Sequence, residues 1–306
     1  MDLTIYINSF IIIILTAFIG VFIADILFSI GFHKKLLKPL KLILKIPKLP
    51  SELSIPMVIG IIDSRAEHAI ISSLVRENKL NHKEVIVYTL FSMPFSGLRL
   101  IIEYVLPISI AIFGISIGLI YIGLSFFALI ISMIMGIILG RIFLKNKEII
   151  IKEEIKNSKI NLKKSLIKSI KITKDIGIKY FIVLIIVILL IYFGVFNYLE
   201  NISKIIAEFF IFNAKALPIT ITYIVNYQAS LLIAGELIRE GILFWKDAII
   251  ALFIGRLIYS LLFEFLHSFP FYVAIYDLKL AIKLTITIMI YTIISTPILI
   301  FILMSE

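Results

Sequence analysis

The sequence predicts an all-α polytopic membrane protein, and three observations carry that reading. Of 306 residues, 61% are hydrophobic and only 16% are charged. An ordinary soluble domain is roughly 45–50% apolar and about 25% charged. The mean hydropathy is +1.10, more apolar surface than a soluble fold of this length can bury. The apolar residues also fall in runs near the roughly 20 that a membrane-crossing helix needs. Isoleucine occurs 73 times, there are 24 lysines against six arginines, and cysteine is absent. That absence removes disulfides, thiolate metal sites and cysteine nucleophiles. In a soluble protein the net charge of +10 would point to nucleic acid. In a membrane protein it marks loops on the cytoplasmic side, so the lipid bilayer is the expected partner and nucleic acid is not.

Taken in order, the first span runs from Ile5 to Phe32. It is too long for a signal-peptide core and has no small-residue cleavage site after it, so it reads as a retained helix. It holds one acid, Asp25. His33 to Lys48 then carries six lysines, no acid and interspersed leucines, which reads as a basic segment on the cytoplasmic interface. Residues 51–76 are apolar but interrupted by Asp63-Ser64-Arg65 and Glu67-His68, a poor simple span. Apolar helices follow at 84–104 and 116–143, separated by a proline-containing piece from Tyr104 to Phe113. Lys145 to Lys179 is lysine-rich, with Ile155, Leu162, Leu166 and Ile170 near helical spacing, as in an amphipathic surface helix. The second half opens with a span from Tyr180 to Tyr198. A mixed stretch at 199–216, a polar-interrupted segment at 217–239 and spans at 248–266 and 280–304 complete it.

This order occurs twice. At a fixed offset of 163, Leu74-Val75-Arg76-Glu77-Asn78-Lys79-Leu80 overlies Leu237-Ile238-Arg239-Glu240-Gly241-Ile242-Leu243. Lys83 then meets Lys246, Glu84 meets Asp247 and Pro107 meets Pro270. With six arginines in the chain, arginine on arginine is informative. The chain thus divides into repeat 1 at 1–143, with a hairpin at 51–76, a basic linker at 144–179, and repeat 2 at 180–306, with a hairpin at 217–239. Charge bears on how the halves are related. Residues 33–48 carry six lysines, whereas the equivalent 196–211 carries Lys204 against Glu200 and Glu208. If each hairpin is re-entrant, each half has three spans and the halves are inverted, with 33–48 and 145–179 both cytoplasmic. If both hairpins span, there are eight helices and the halves are parallel.

Inverted repeats with broken helices meeting near the midplane are the architecture of secondary transporters. The hairpin tips are therefore candidate binding sites: Asp63, Ser64, Arg65, Glu67 and His68 in the first, and Asn226, Tyr227 and Gln228 in the second. Asn, Gln and Tyr can read a polar solute by direct hydrogen bonds. An internal salt bridge that lets the first hairpin turn is the competing reading. Charges inside membrane helices are rare and face a cavity or the protein interior. That makes Asp25, Arg99, Glu103, Arg256 and Glu264 candidates for a polar pathway or coupling site. Arg99 and Glu103 are spaced i, i+4 on one helix face, which equally suits helix-to-helix glue. Arg76-Glu77 and Arg239-Glu240 sit where each hairpin ends, which suits a capping role.

The arrangement resembles the nucleoside-recognition (Gate) domain family of membrane proteins, in the form with two gate-like units. The residues that carry the resemblance are Leu49-Pro50 and Leu217-Pro218 before the hairpins, the runs at 74–78 and 237–241, Lys83-Glu84 and Lys246-Asp247, and Arg99 with Pro107 and Arg256 with Pro270. It covers 45–115 and 212–278. The resemblance implies a transport-type membrane module and fixes no substrate. In this sequence Asn78 stands where the second copy has Gly241, and the first hairpin is unusually charged.

The function expected is secondary transport of a small polar solute such as a nucleoside, with the site between the hairpins and no cofactor or metal. The alternative is a non-transporting membrane scaffold built from gate domains. No HExxH, paired catalytic aspartates or ATP-binding glycine loop occurs in the sequence, which argues against an enzyme. A homo-oligomer is compatible with the sequence.

Overall fold

A computed structural model of the chain describes residues 37–62, 64–145 and 213–305, with scattered positions at 15–22 and 162–189. The span at 5–32 with Asp25, the linker at 144–179 and the span at 180–198 lie outside the continuously described residues. The described elements are α1 (Leu37–Leu44), α2 (Ser54–Ile62), α3 (Ser64–Arg76), α4 (His82–Leu100), α5 (Leu106–Phe143), α6 (Leu217–Val225), α7 (Tyr227–Arg239), α8 (Trp245–Ile275) and α9 (Leu278–Ser305). One π-helical turn, Ile101–Val105, joins α4 to α5. No strand occurs among the described residues.

Among the described residues two stretches, His82–Phe143 and Leu278–Ser305, are long and apolar enough to cross a membrane, and the bent α8 adds a third if it counts as one span. The chain is an all-α membrane protein. By contrast α2 and α6 have nine residues each, about 14 Å of helix. Neither can cross a hydrocarbon layer about 30 Å thick.

The helix bounds recur at the offset found in the sequence. Adding 163 to α2, α3 and the start of α4 gives α6, α7 and the start of α8. The π turn at 101–105 falls on the bend of 46° between Trp245–Glu264 and Ser268–Ile275. Within α5, Gly114 leaves the helical region at φ 76 and falls on Asp277, in the break between α8 and α9. Local chemistry sets these boundaries. Asn81 starts α4 with a capping box, accepting from the Glu84 amide while the Glu84 carboxylate accepts from its own. Asn226 caps α7 through the Ala229 amide at 3.0 Å. Asn78 and Gly241 end α3 and α7 in the left-handed region at φ 54 and 68. Asparagine tolerates that conformation better than most residues, which accounts for its standing in place of glycine.

The two hairpins pack reciprocally. In one core α2, α3 and the first part of α4 meet Tyr272, Tyr276, Leu280 and Leu284 from the second half. In the other, α6, α7 and the first part of α8 meet Ile108, Ile112, Phe113 and Tyr121 from the first half. Gly235 of α7 is pressed on Ile112 so closely that a Cβ would overlap it. At the equivalent place α3 meets Ile275, whose carbonyl accepts from Arg76 Nη2 at 3.2 Å. Small residues also admit the close approach of α5: Gly136 lies against the Phe91 backbone of α4, and Gly140 against Pro47, the usual device where helices pack without a solvent-driven force between them.

α5 and α9 run antiparallel. Lys283, near the start of α9, shares a cavity with Phe143 and Leu144 at the end of α5. Leu299 and Leu303, near the end of α9, share a core with Tyr121 and Ala128 near the start of α5. One end of the molecule therefore collects α1, the end of α3, the start of α4, the end of α5 and the start of α9. Lys48 Nζ donates to the Arg141 carbonyl at 2.9 Å there, and His82 pairs with Asp277 at 3.0 Å. That end carries Lys41, Lys45, Lys48, Arg76, Lys79, Lys83, Arg141, Lys145, Lys279 and Lys283, against Glu52, Glu77, Glu84 and Asp277. At the opposite end Asn213 reaches Asp247 at 3.4 Å, and Lys215, Arg239 and Lys246 are balanced by Glu236, Glu240 and Asp247. The Asn213–Asp247 bond also places the entry and exit of the α6–α7 hairpin at one end.

Asp277 opens α9, accepting from the Leu280 amide at 3.0 Å. Partial burial opposes its ionisation, but the Leu280 amide, His82 and the Lys279 amide outweigh that and hold the carboxyl below its ordinary value. A depressed folded-state value contributes stability that is present above the unfolded value and lost as pH falls through the folded one. The thermal midpoint is thus expected to fall between about pH 4 and pH 3, and Asp277→Ala should flatten that part of the profile and cost about 1 kcal/mol near neutrality through the lost cap. A pH profile unchanged by the substitution would count against this role.

Candidate functional site

Each hairpin gathers buried polar groups within the apolar body. At the first hairpin Glu67, near the start of α3, is 2% exposed and accepts from the Tyr88 hydroxyl at 2.7 Å. Ser92 lies beside it. Gly60 makes the space: any Cβ there would overlap the Glu67 carboxylate. His68 Nδ1 lies 2.9 Å from the Tyr276 hydroxyl, which also donates to the His68 carbonyl at 3.3 Å. The rings of Phe271 and Tyr272 stand edge-on to the imidazole. The break between α2 and α3 is held from α4. Arg99 donates through Nη1 to the carbonyl of Ile62, the last residue of α2, and through Nε to Glu103 at 2.8 Å. Glu103, in the π turn, is buried. Ser64 is exposed, Asp63 lies outside the described residues, and so does the side chain of Arg65.

At the second hairpin the tip is aromatic. Tyr223 packs into Gly255, which leaves 2.6 Å from an added Cβ to the tyrosine Cβ. The rings of Tyr223 and Tyr227 meet edge to face at 5.4 Å, and Tyr121 donates its hydroxyl proton to Tyr227 at 3.2 Å. Arg256 of α8 donates to the Tyr291 hydroxyl of α9 at 2.7 Å and lies over that ring at 5.3 Å. It is also within electrostatic range of Tyr223 and Tyr121. Beside these groups a cavity of about 540 Å³ is lined by Tyr223, Ile224, Val225, Tyr227, Tyr259 and Phe263. Gln228 is half-buried, while the Asn226 side chain is occupied as the α7 cap.

The repeat explains the difference between the tips. Gly60, Glu67, Tyr88 and Ser92 occupy positions equivalent to Tyr223, Ser230, Ala251 and Gly255. Gly60 makes room for the Glu67 carboxylate in the first half, and Gly255 makes room for the Tyr223 ring in the second. The carboxylate is peculiar to the first half.

Tyr272 and Tyr276 are within electrostatic range of Glu67, and Tyr272 also of Glu264. Glu264, buried in α8, is in range of Tyr259, and Tyr259 of Tyr223. Polar groups thus gather at each tip: Glu67 with Tyr88 and His68 with Tyr276 at the first, and Tyr121 with Tyr227 and Arg256 with Tyr291 at the second. Of the residues singled out in the sequence, Glu67, His68, Tyr227 and Arg256 lie in these groups, and Glu264 is buried in α8. Arg99 and Glu103 brace the first hairpin, Asn226 is a cap, and Arg256 bonds to α9 rather than to Glu264 two turns further along. Arg76 ties α3 to the second half, and Arg239 pairs with Glu236 at 2.9 Å within its own helix, so neither caps a hairpin. Tyr88, Tyr121, Tyr272, Tyr276 and Tyr291 were not singled out by sequence. Their signal is a tyrosine within an apolar run, whose hydroxyl must find a partner, with Tyr272 and Tyr276 one turn apart.

These features define an all-α membrane protein with two broken-helix hairpins and a polar interior. Among known proteins the chain is similar to three from Methanocaldococcus jannaschii. It is 29% identical to the uncharacterized protein MJ0880 over 300 residues, covering 95% of this chain and 96% of that one. It is 28% identical to the uncharacterized protein MJ1556, over 85% of this chain and 84% of that one. It is 29% identical to the uncharacterized protein MJ0871, over 86% and 83%. No family model matches the chain, and no solved structure matches it.

Proposed function

We propose that the chain is a multi-pass cell-membrane transporter of a small polar solute, a nucleoside being the candidate class, built from two inverted gate-like repeats. The observation that carries the reading is a hydrogen-bonded polar cluster at each broken-helix tip inside an apolar body, Glu67, Tyr88, His68 and Tyr276 at one and Tyr121, Tyr227, Arg256 and Tyr291 at the other. A purely structural core has no need of Glu67, Glu264 and Arg256 at that depth, since each is costly to desolvate. Tyrosine hydroxyls, a carboxylate and an arginine offer the donors and acceptors that a sugar or base requires. The antiparallel course of the equivalent helices α5 and α9 supports inversion. So does the gathering of lysines at one end, which the positive-inside rule assigns to the cytoplasm. Both hairpins are then re-entrant, one from each side, and alternating access is a rocking of one half against the other.

The test is uptake by reconstituted proteoliposomes of a panel containing purine and pyrimidine nucleosides, free bases and polyols, under imposed proton and sodium gradients. At least one solute is expected to accumulate and to raise the thermal midpoint of the protein. Neither uptake nor stabilisation by any of them, under any gradient, would overturn the proposal.

A further inference from the structure

We infer that the lysine-rich end of the molecule holds a site for a phosphate ester, independent of the transport pathway. A cavity of about 870 Å³ there is lined by Lys83 at the start of α4, Lys145 just past α5 and Lys283 in α9. Three elements thus bring a lysine each to one space, within the size range of small-ligand pockets. The acid among the lining residues, Glu84, already accepts from the Asn81 amide at 2.7 Å. His82 faces Asp277 at 3.0 Å, which takes the nearby carboxylate away from the lysines. Asn78 adds an amide donor, and Phe143, with Lys83 5.4 Å above its ring, adds an apolar wall. Cations on three sides with an apolar flank suit a phosphate on a short organic stem.

The repeat shows that this cavity is not a by-product of the fold. Asn81, His82 and Lys283 correspond to Phe244, Trp245 and Ile120. Lys246, the counterpart of Lys83, lies over the Trp245 ring at 5.6 Å. The same backbone thus carries an aromatic edge at one end and a cationic cavity at the other. The phosphate has two sources, an anionic phospholipid or a soluble ester, which share this chemistry.

The experiment uses the full chain in detergent, with phosphatidylglycerol, phosphatidylcholine, glycerol 3-phosphate and inorganic phosphate as probes, read by thermal shift and by native mass spectrometry. Phosphatidylglycerol alone binding identifies the lipid. Binding of glycerol 3-phosphate as well identifies a soluble ester. Each lysine is expected to contribute about fivefold in affinity. Lys83→Gln with Lys283→Gln should therefore weaken the bound probe about 25-fold, and Lys145→Gln alone, at the exposed end of α5, about fivefold. Lys246→Gln should change nothing. Failure of both phosphatidylglycerol and glycerol 3-phosphate to bind, or binding left intact by Lys145→Gln and the double variant, would overturn the inference. Solute uptake is scored separately, so the two proposals fail independently.

Discussion

Arg99→Ala is expected to destabilise the protein by about 3–5 kcal/mol, the cost of taking one partner from a buried ion pair. The expectation follows from where the guanidinium stands. It bonds to Glu103, buried in the π turn, and to the Ile62 carbonyl that the break after α2 takes out of the helix ladder. Without it the carboxylate loses its Arg99 partner and the hairpin loses its anchor to α4. Arg99→Lys should recover only part of the loss, because an ammonium cannot serve both acceptors in the planar geometry of arginine. Arg99→Met combined with Glu103→Gln should cost less than Arg99→Ala alone, since no buried charge remains. Thermal unfolding in detergent of the three variants decides the matter. A loss below about 1 kcal/mol for Arg99→Ala would place the pair among surface-type bridges.

Arg256→Leu is expected to abolish solute uptake while the protein still folds. Arg256 lies among Tyr291, Tyr223 and Tyr121 beside the cavity at the second hairpin. Leucine fills much of its volume, and α8 keeps its packing through Gly255 and Tyr223. Tyr291→Phe removes the acceptor of the 2.7 Å hydrogen bond and should lower uptake about 10- to 100-fold, as expected for a hydrogen bond to a charged group. Uptake rates in proteoliposomes, normalised to protein that elutes as a single species, measure both. Wild-type uptake by Arg256→Leu would remove the arginine from the pathway and leave it a structural link between α8 and α9.

The offset of 163 was legible in the sequence because arginine is scarce: Arg76 over Arg239 set it, and the bounds of α2, α3 and the start of α4 recur at that offset. The hairpins were legible as polar interruptions of apolar runs. Asn78 for Gly241 was visible as a departure, but its reason, a left-handed backbone, was not. The tyrosine partners were hidden for a different reason. Tyr88, Tyr276 and Tyr291 sit in separate helices, and a tyrosine in an apolar segment reads as an interfacial aromatic until its hydroxyl is seen to face Glu67, His68 or Arg256. Arg256 and Glu264 share a face by spacing alone, yet the arginine reaches across to α9. Spacing along a helix says which groups can meet, and packing decides which do.

The central claim is that the two halves lie in the membrane in opposite orientations, and the cysteine-free sequence allows it to be tested cleanly. Glu77 and Glu240 are equivalent under the offset of 163, both are exposed, and both stand just beyond the hairpins. Single cysteines at these two positions, Glu77→Cys and Glu240→Cys, are labelled in sealed vesicles with a membrane-impermeant maleimide from each side. The expected result is labelling of Glu77→Cys from the cytoplasmic face and of Glu240→Cys from the outer face. Labelling of both from the same face would contradict the inverted arrangement and, with it, a transport site between opposed hairpins.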